Sequence, residues 1–261
     1  MNMKKLMSMR SLAILVLIGA MLCLAEPLHA QRKLMVAAAS DLKYALDSVI
    51  ADYSETHREI IIVATYGSSG KFFEQISNSA PFDVFFSADI TYPEKLEALG
   101  KTGQPIQKYG RGRIVIWSKR VDPNTGGMQS LLDKRVAKIA IANPEHAPYG
   151  RRAVESMKKS NVYNQVSAKL VFGENISQAA QFVTTGAADA GIVALSLALS
   201  PAMKTQGKYF LIPEGSHQPL DQAVVILKQA AANPDARTFQ DFVLSARGKA
   251  ILSYFGFSDP K

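Results

Sequence analysis

From residue 33 onward, short apolar runs alternate with longer stretches in which apolar residues return every three or four positions. Leu34 to Ala39 is a continuous apolar run, and the stretch 41–56 places Leu42, Ala45, Leu46, Val49, Ile50 and Tyr53 on one helical face. The alternation continues to the end of the chain. It predicts strands over 33–39, 60–65, 82–86, 113–117, 138–142, 169–172, 190–194, 209–212 and 223–227. It predicts helices over 41–56, 71–77, 92–99, 149–159 and 177–184, and two closing helices over 235–245 and 248–255. Apolar strands separated by helices imply parallel sheets covered on both faces, an α/β fold.

The spacing of the strands favours two lobes over one continuous sheet. One cluster occupies 33–86, and a second begins near Lys138. Between them Tyr109-Gly110-Arg111-Gly112-Arg113 leads into Ile114-Val115-Ile116, which reads as a crossing segment. The turn-rich stretch from Pro213 to Pro219 precedes a strand that carries the chain back. The expected division is residues 31–112 with 223–261 as the first lobe and 113–222 as the second. Two crossings make a hinge, and ligands sit preferentially in the cleft between such lobes.

Residues 1–30 stand outside this pattern. Lys4, Lys5 and Arg10 precede an apolar stretch from Ser11 to Ala25, and Leu28-His29-Ala30 offers a small-residue cleavage end. This is the layout of a cleaved secretory signal peptide, and the run is shorter than the ~20 residues that span a bilayer. Leu22 before Cys23 departs from the small residue that lipoprotein signals place there, so a lipid anchor is disfavoured. Cys23 is the only cysteine, which removes disulfides, thiol nucleophiles and Cys-ligated metals from residues 31–261. The formal charge is +8, of which the leader contributes +2, leaving +6. The basic residues are scattered without an aromatic-interleaved stripe, so a soluble basic surface is expected and nucleic acid is not.

Four strand-to-helix loops carry the candidate chemistry. Ala37-Ala38-Ala39-Ser40-Asp41 and Tyr66-Gly67-Ser68-Ser69-Gly70 each end an apolar run in small residues and a hydroxyl where a helix begins. Asn143-Pro144-Glu145-His146-Ala147-Pro148-Tyr149-Gly150 and Gly173-Glu174-Asn175-Ile176-Ser177 do the same later in the chain, with Pro148 suited to a first helical turn and Asn175 to an N-cap. Free N–H groups and the helix dipole make each such start an anion socket. A single Ser at a helix start is most often only a cap. Four loops in this order, converging on one cleft, would enclose a small tetrahedral dianion with neutral donors.

Taken as a set, with Pro81-Phe82-Asp83-Val84-Phe85-Phe86-Ser87-Ala88-Asp89 and Gly191-Ile192-Val193, these motifs resemble the periplasmic molybdate-binding proteins of ABC transporters across essentially all of residues 31–261. The resemblance implies a two-lobed type II periplasmic binding protein fold. It implies that Ser40 and Ser69 bind ligand oxygens through hydroxyl and backbone N–H groups, and Tyr149 and Ile176 through backbone N–H groups. It implies molybdate, and also tungstate, as ligand, with any metal present only inside the oxyanion. It further implies an ABC permease as partner, a periplasmic location, no cofactor and a monomer. Some members place a tyrosine just after the Gly-Ile-Val strand; Ala194 stands here, so that contact is absent or replaced.

The charged neighbours of these loops have plain expected roles. Asp41 should turn away from a dianion, capping its helix or pairing with Lys43, and Lys71 should lie at the rim. Asp89 should cap the helix near Tyr92, Asp83 should order a loop, and the pairs Phe72-Phe73 and Phe85-Phe86 should be core. His57, His146 and His217 show no metal-ligand spacing, and neither a G-x-S-x-G elbow nor a P-loop is present. A binding protein rather than an enzyme or a sensor domain is therefore expected. A receptor for sulfate or another small tetrahedral oxyanion is the alternative, because loops alone do not set a cavity radius.

Overall fold

The computed structural model describes residues 31–260; the expected leader lies outside them. Two five-stranded sheets carry the chain. The first contains β1 (Arg32–Ala39), β2 (Ile60–Gly67), β3 (Val84–Ser87), β4 (Gln107–Gly112) and β10 (Leu220–Ile226), in the order β2-β1-β3-β10-β4. The second contains β5 (Ile114–Ser118), β6 (Ile139–Ala142), β7 (Leu170–Gly173), β8 (Ala190–Ala194) and β9 (Lys208–Leu211), in the order β7-β6-β8-β5-β9. The helices are α1 (Lys43–Ser54), α2 (Ser69–Ser77), α3 (Thr91–Ala98), α4 (Pro148–Lys159) and α5 (Tyr163–Val166). They continue with α6 (Ile176–Thr185), α7 (Leu195–Ala198), α8 (Pro234–Leu244) and α9 (Ala246–Tyr254).

β1 pairs with β3, and β6 with β7 and β8, in parallel. The expectation of wholly parallel sheets is corrected by two strands. β10 runs antiparallel to β3 and β4, and β5 antiparallel to β8 and β9. Both are the strands that arrive from the other sheet. The parallel strands point their C-terminal ends at the gap between the halves, where Ala39 and Ala88 lie. A strand entering from that gap must run the opposite way.

Two further corrections concern the crossings. The segment 107–112, expected as a connector, is the edge strand β4, paired with β10 across an irregularity at Gln222 and Ala223. Its exposed Gln107 and Lys108 and its two glycines hid it from an apolar search, yet charged side chains are what protects a sheet edge. Arg113 alone separates β4 from β5. The return strand starts at Leu220 rather than 223, so Asp221 and Gln222 belong to the first sheet.

Alternation along the strands builds the core. Val36, Ala38, Val84, Phe86, Val224 and Ile226 face Leu46 and Val49 of α1 and Phe239 and Val243 of α8. Ala37, Phe85 and Val225 face the other way, onto Phe72 and Ile76 of α2 and Leu96 of α3. The second sheet packs Ile116, Ile141 and Ile192 with Ala153 and Met157 of α4 and Ala179 and Val183 of α6. Each fully buried large side chain stabilises the fold by roughly 1.5–3 kcal/mol. Among the described residues no helix is long and apolar enough to cross a membrane.

Candidate functional site: a donor-lined cavity between the two sheets

Four chain segments reach the gap between the sheets as the starts of helical turns. Each start has N–H groups that no intrahelical carbonyl can satisfy, and most of them are already spent. At α6 the Ser177 N–H donates to Ser40 Oγ (3.3 Å), and the Gln178 N–H to Asn175 Oδ1 (3.1 Å). The Ala179 N–H donates to the Asn175 carbonyl. Ile176 N–H is left without an acceptor among the described residues. At α4, Pro148 has no N–H, and the Gly150 and Arg151 N–H groups both donate to the Ala147 carbonyl. Tyr149 N–H is the one left over. At α2 the Gly70 N–H donates to the His146 carbonyl (2.9 Å), which leaves those of Ser69 and Lys71, and of these two residues Ser69 lines the cavity.

The leftovers converge. Ser40, Ser69, Tyr149 and Ile176 line one small cavity of about 10 Å³, together with Asp41 and Ser68. The Ser69 hydroxyl accepts from the Ala88 N–H at 3.0 Å, so its own proton remains available to donate. The Ser40 hydroxyl donates to Asn175 Oδ1 at 3.1 Å. The Ser68 hydroxyl is buried with no partner among the described residues. No lysine or arginine lines the cavity. Its positive potential comes from helix starts and hydroxyls alone.

Asp41 is the exception in this shell. It is 1% exposed, and its Oδ2 accepts from Tyr149 OH (2.9 Å) and Gln222 Nε2 (2.8 Å). Gln222 in turn accepts at Oε1 from Tyr109 OH (2.5 Å). Asp41 Oδ1 is buried without a hydrogen-bond partner. Burial pushes the Asp41 carboxyl from 3.8 up to about 7, and the hydrogen bonds from Gln222, Tyr149 and the local backbone offset only part of that. Burial beside the same carboxyl also holds the Tyr109 and Tyr149 phenols well above their ordinary range. Gly112 permits this cluster, because a Cβ there would collide with Tyr149 OH and Gln222 Nε2.

Around the cavity the two halves are tied by direct bonds. Besides Gly70 to His146 and Ser40 to Asn175, Ser177 Oγ donates to the Ser40 carbonyl (2.8 Å) and Ser196 Oγ to the Asp41 carbonyl (2.7 Å). Asp89 Oδ2 meets Arg151 at 3.2 Å and Arg152 at 3.5 Å. Gly70 is needed where it stands, since a Cβ would come within 2.5 Å of the His146 carbonyl oxygen.

The model of the bacterial extracellular solute-binding protein family matches residues 34–258. A molybdate-binding protein ModA of Azotobacter vinelandii is 32% identical over 92% of this chain and 93% of its own length. That of Rhodobacter capsulatus is 34% identical over 85% and 89%. The chain belongs to the molybdate-binding family of bacterial extracellular solute-binding proteins. The solved periplasmic molybdate-binding protein of Azotobacter vinelandii superposes with a TM-score of 0.80 at 29% identity, covering 88% of this chain and all of that one. The two-sheet α/β architecture is thus the periplasmic binding protein fold.

As a member of this family the chain departs from its sequence-based expectations at several charged or polar positions. Asp41 neither caps its helix, nor pairs with Lys43, nor turns away from the cavity; Lys43 pairs with Asp47 at 3.1 Å instead. Hydrogen bonds from two neutral donors make that burial tolerable. Asp89 does hold the start of α3, accepting from the Thr91 N–H at 3.0 Å, and it also reaches Arg151. Asp83 ties to the Met35 N–H (2.7 Å) in β1 rather than to a loop. Asn175 caps α6, and Lys71 is exposed beside Glu74. Ser196 is spent on the Asp41 carbonyl, so it does not take the place of the tyrosine absent at Ala194. Sequence reasoning missed Ser68 and the cluster of Tyr109, Asp41 and Gln222. The Ser68-Ser69 doublet held the first signal; the cluster joins residues 113 positions apart and left none.

Proposed function

We propose that this protein captures molybdate, and tungstate with it, in the periplasm and delivers it to the membrane permease of an ABC transporter. The observation that carries this reading is the convergence of Ser40, Ser69, Tyr149 and Ile176, from both sheets, on one small cavity without a cation. A fully deprotonated tetrahedral dianion needs donors only. Each charge-assisted hydrogen bond contributes roughly 1.5–3 kcal/mol net. Several of them, offset by ligand desolvation, reach the about 8–12 kcal/mol of micromolar to nanomolar binding. Sulfate has shorter bonds and would leave the contacts long. Phosphate carries a proton near neutral pH and would seek an acceptor.

The lobes we assign follow the sheets, residues 31–112 with 220–261 and residues 113–219. Capture proceeds by hinge closure about Arg113 and the 212–219 return, one lobe binding first and the second completing the shell. The reading requires no cofactor and no catalytic residue, and it holds for a monomer exported by its leader. The relatives named molybdate-binding proteins support it. Isothermal titration of the purified protein with molybdate, tungstate, sulfate and phosphate tests it. Tight one-to-one binding of the first two with weak binding of the others is the expected result. Binding of sulfate but not molybdate would keep the fold and replace the ligand.

A further inference from the structure

The cavity's donor shell contains one group of the wrong sign. Asp41 lines it, is 1% exposed, and forms no ion pair with any described residue. If the cavity takes an oxyanion, on which reading this inference rests, a dianion and a carboxylate would share one water-excluded space. Like charges at that range disfavour each other's ionised forms strongly. We propose that Asp41 makes capture proton-coupled: the occupied site holds one proton on the Asp41 carboxyl for each dianion bound.

Burial rather than hydrogen bonding favours the neutral carboxyl. Oδ2 accepts from Tyr149 OH and Gln222 Nε2, bonds that by themselves favour the ionised form, while Oδ1 is buried away from water and meets no side-chain donor. The residues that contact ligand oxygens in this reading are hydroxyls and backbone N–H groups, so Asp41 is a specificity-determining neighbour and not itself a donor of the shell. The neighbouring elements supply no charge that could take its place. α6 and α7, which pack on the turn at 40–42, carry no ionisable side chain. On β2, Tyr66 donates to Asp47, and on α1, Lys43 is paired with that same Asp47. From β4 and α4 the groups that face Asp41 are the Tyr109 and Tyr149 phenols, held protonated. Further along those elements Arg111 is paired with Asp221, and Arg151 and Arg152 with Asp89. His146, nearby on the α4 entry loop, points its Nε2 at Glu174. Ligand entry therefore raises the proton affinity of Asp41 and of no other group facing the cavity. The already elevated carboxyl of the free protein, at about 7, sets where the coupling becomes visible.

The test is isothermal titration with sodium molybdate at pH 6.0, 7.0, 8.0 and 8.5, each in two buffers of different ionisation enthalpy, for the parent and for Asp41→Asn. The parent should take up close to one proton per molybdate at pH 8.5 and much less at pH 6.0. Its Kd should weaken about tenfold per pH unit above pH 7.5. Asp41→Asn should show neither the uptake nor the pH dependence. Tight molybdate binding by the parent with no proton uptake at pH 8.5 would overturn the coupling and leave the receptor reading standing. The same uptake in Asp41→Asn would place the proton elsewhere and overturn it too. Absence of molybdate binding at every pH would remove the receptor reading and the coupling together. The parent's proton count tests the coupling without a variant, and if Asp41→Asn fails to fold, Asp41→Ser carries the assignment: uptake retained there would overturn it, and uptake lost would support it.

Discussion

Replacing Asp41 by Asn should shift the stability of the ligand-free protein, relative to its parent, progressively in the variant's favour as pH rises. The carboxyl is buried, and its protonation midpoint moves from 3.8 in an exposed carboxylate to about 7 in the fold. At 1.36 kcal/mol per pH unit, that displacement amounts to about 4 kcal/mol of stability held by the protonated form and lost on ionisation. The direction follows from proton counting. Between pH 3.8 and about 7 the folded chain keeps a proton that the unfolded chain has released. The native state then binds more protons than the unfolded state, so stability falls as pH rises through this window. Below it both states are protonated, and above it both are ionised, so the contribution is flat on either side. Asn keeps the shape and has no such titration.

Urea unfolding of parent and variant at pH 5, 6, 7 and 8 measures the effect. The substitution also carries a constant cost from the changed hydrogen bonds to Tyr149 and Gln222. That cost cancels when the gap between the two proteins is followed across pH. Titrations of the other groups are common to both chains and cancel as well. Only part of the window lies above pH 5, so the gap should move by about 3 kcal/mol in the variant's favour between pH 5 and 8. A movement below about 1 kcal/mol would refute the reasoning. It would mean that the carboxyl is already ionised at pH 5, or that the interior around it is wetter than its burial implies.

Two further substitutions probe the cavity. Ser69→Ala removes the hydroxyl that accepts from the Ala88 N–H and is free to donate into the cavity; molybdate affinity should fall roughly 10- to 100-fold, about 1–3 kcal/mol, by titration calorimetry. Unchanged affinity would take Ser69 out of the site. Gly70→Ala places a Cβ within 2.5 Å of the His146 carbonyl oxygen, a contact made only where the two halves meet. Overpacking of that kind costs about 1–3 kcal/mol, so affinity should fall roughly 5- to 150-fold while the urea midpoint of the free protein hardly moves. An equal loss in both measurements would place the clash inside one lobe's own fold.

The architecture was legible where hydrophobic periodicity is strong. Residues 190–194 form the expected strand without revision, and the helices at 148–159 and 176–185 differ from their expected bounds by a residue at most ends. Periodicity failed where structure depends on a partner far away in the chain. β4 is an edge strand of polar and glycine residues, held by its ladder with β10 rather than by its own apolar face. The single turns α5 and α7 are too short to show a helical period. The antiparallel entry of β5 and β10 is a consequence of topology, which no local window contains. The same divide runs through the site. The four loops are legible because helix starts announce themselves in small and polar residues, whereas the choice of Ser40, Ser69, Tyr149 and Ile176 within them rests on the family resemblance; all four line one cavity. The environment of Asp41 is not legible in the sequence, since Tyr149 and Gln222 lie 108 and 181 positions away from it.

Each helix start in this cavity turns one group toward the cavity and another across to the opposite half. At α6, Ile176 faces the cavity while Ser177 reaches across to Ser40. At α2, Ser69 faces the cavity while Gly70 reaches across to His146. At α4, the Tyr149 backbone faces the cavity while its own phenol reaches across to Asp41. The groups proposed to hold the anion are thus adjacent in the chain to those that hold the halves together. A ligand shifts a conformational equilibrium only by the contacts it makes in one state and not in the other. Under the proposed hinge closure every such contact from the second lobe exists only in the closed state, and it is aligned by the cross-sheet bond one residue or one side chain away. Anion binding and closure would then be a single equilibrium. A substitution at a bridging residue that never touches the ligand should weaken binding about as much as one at a residue that does.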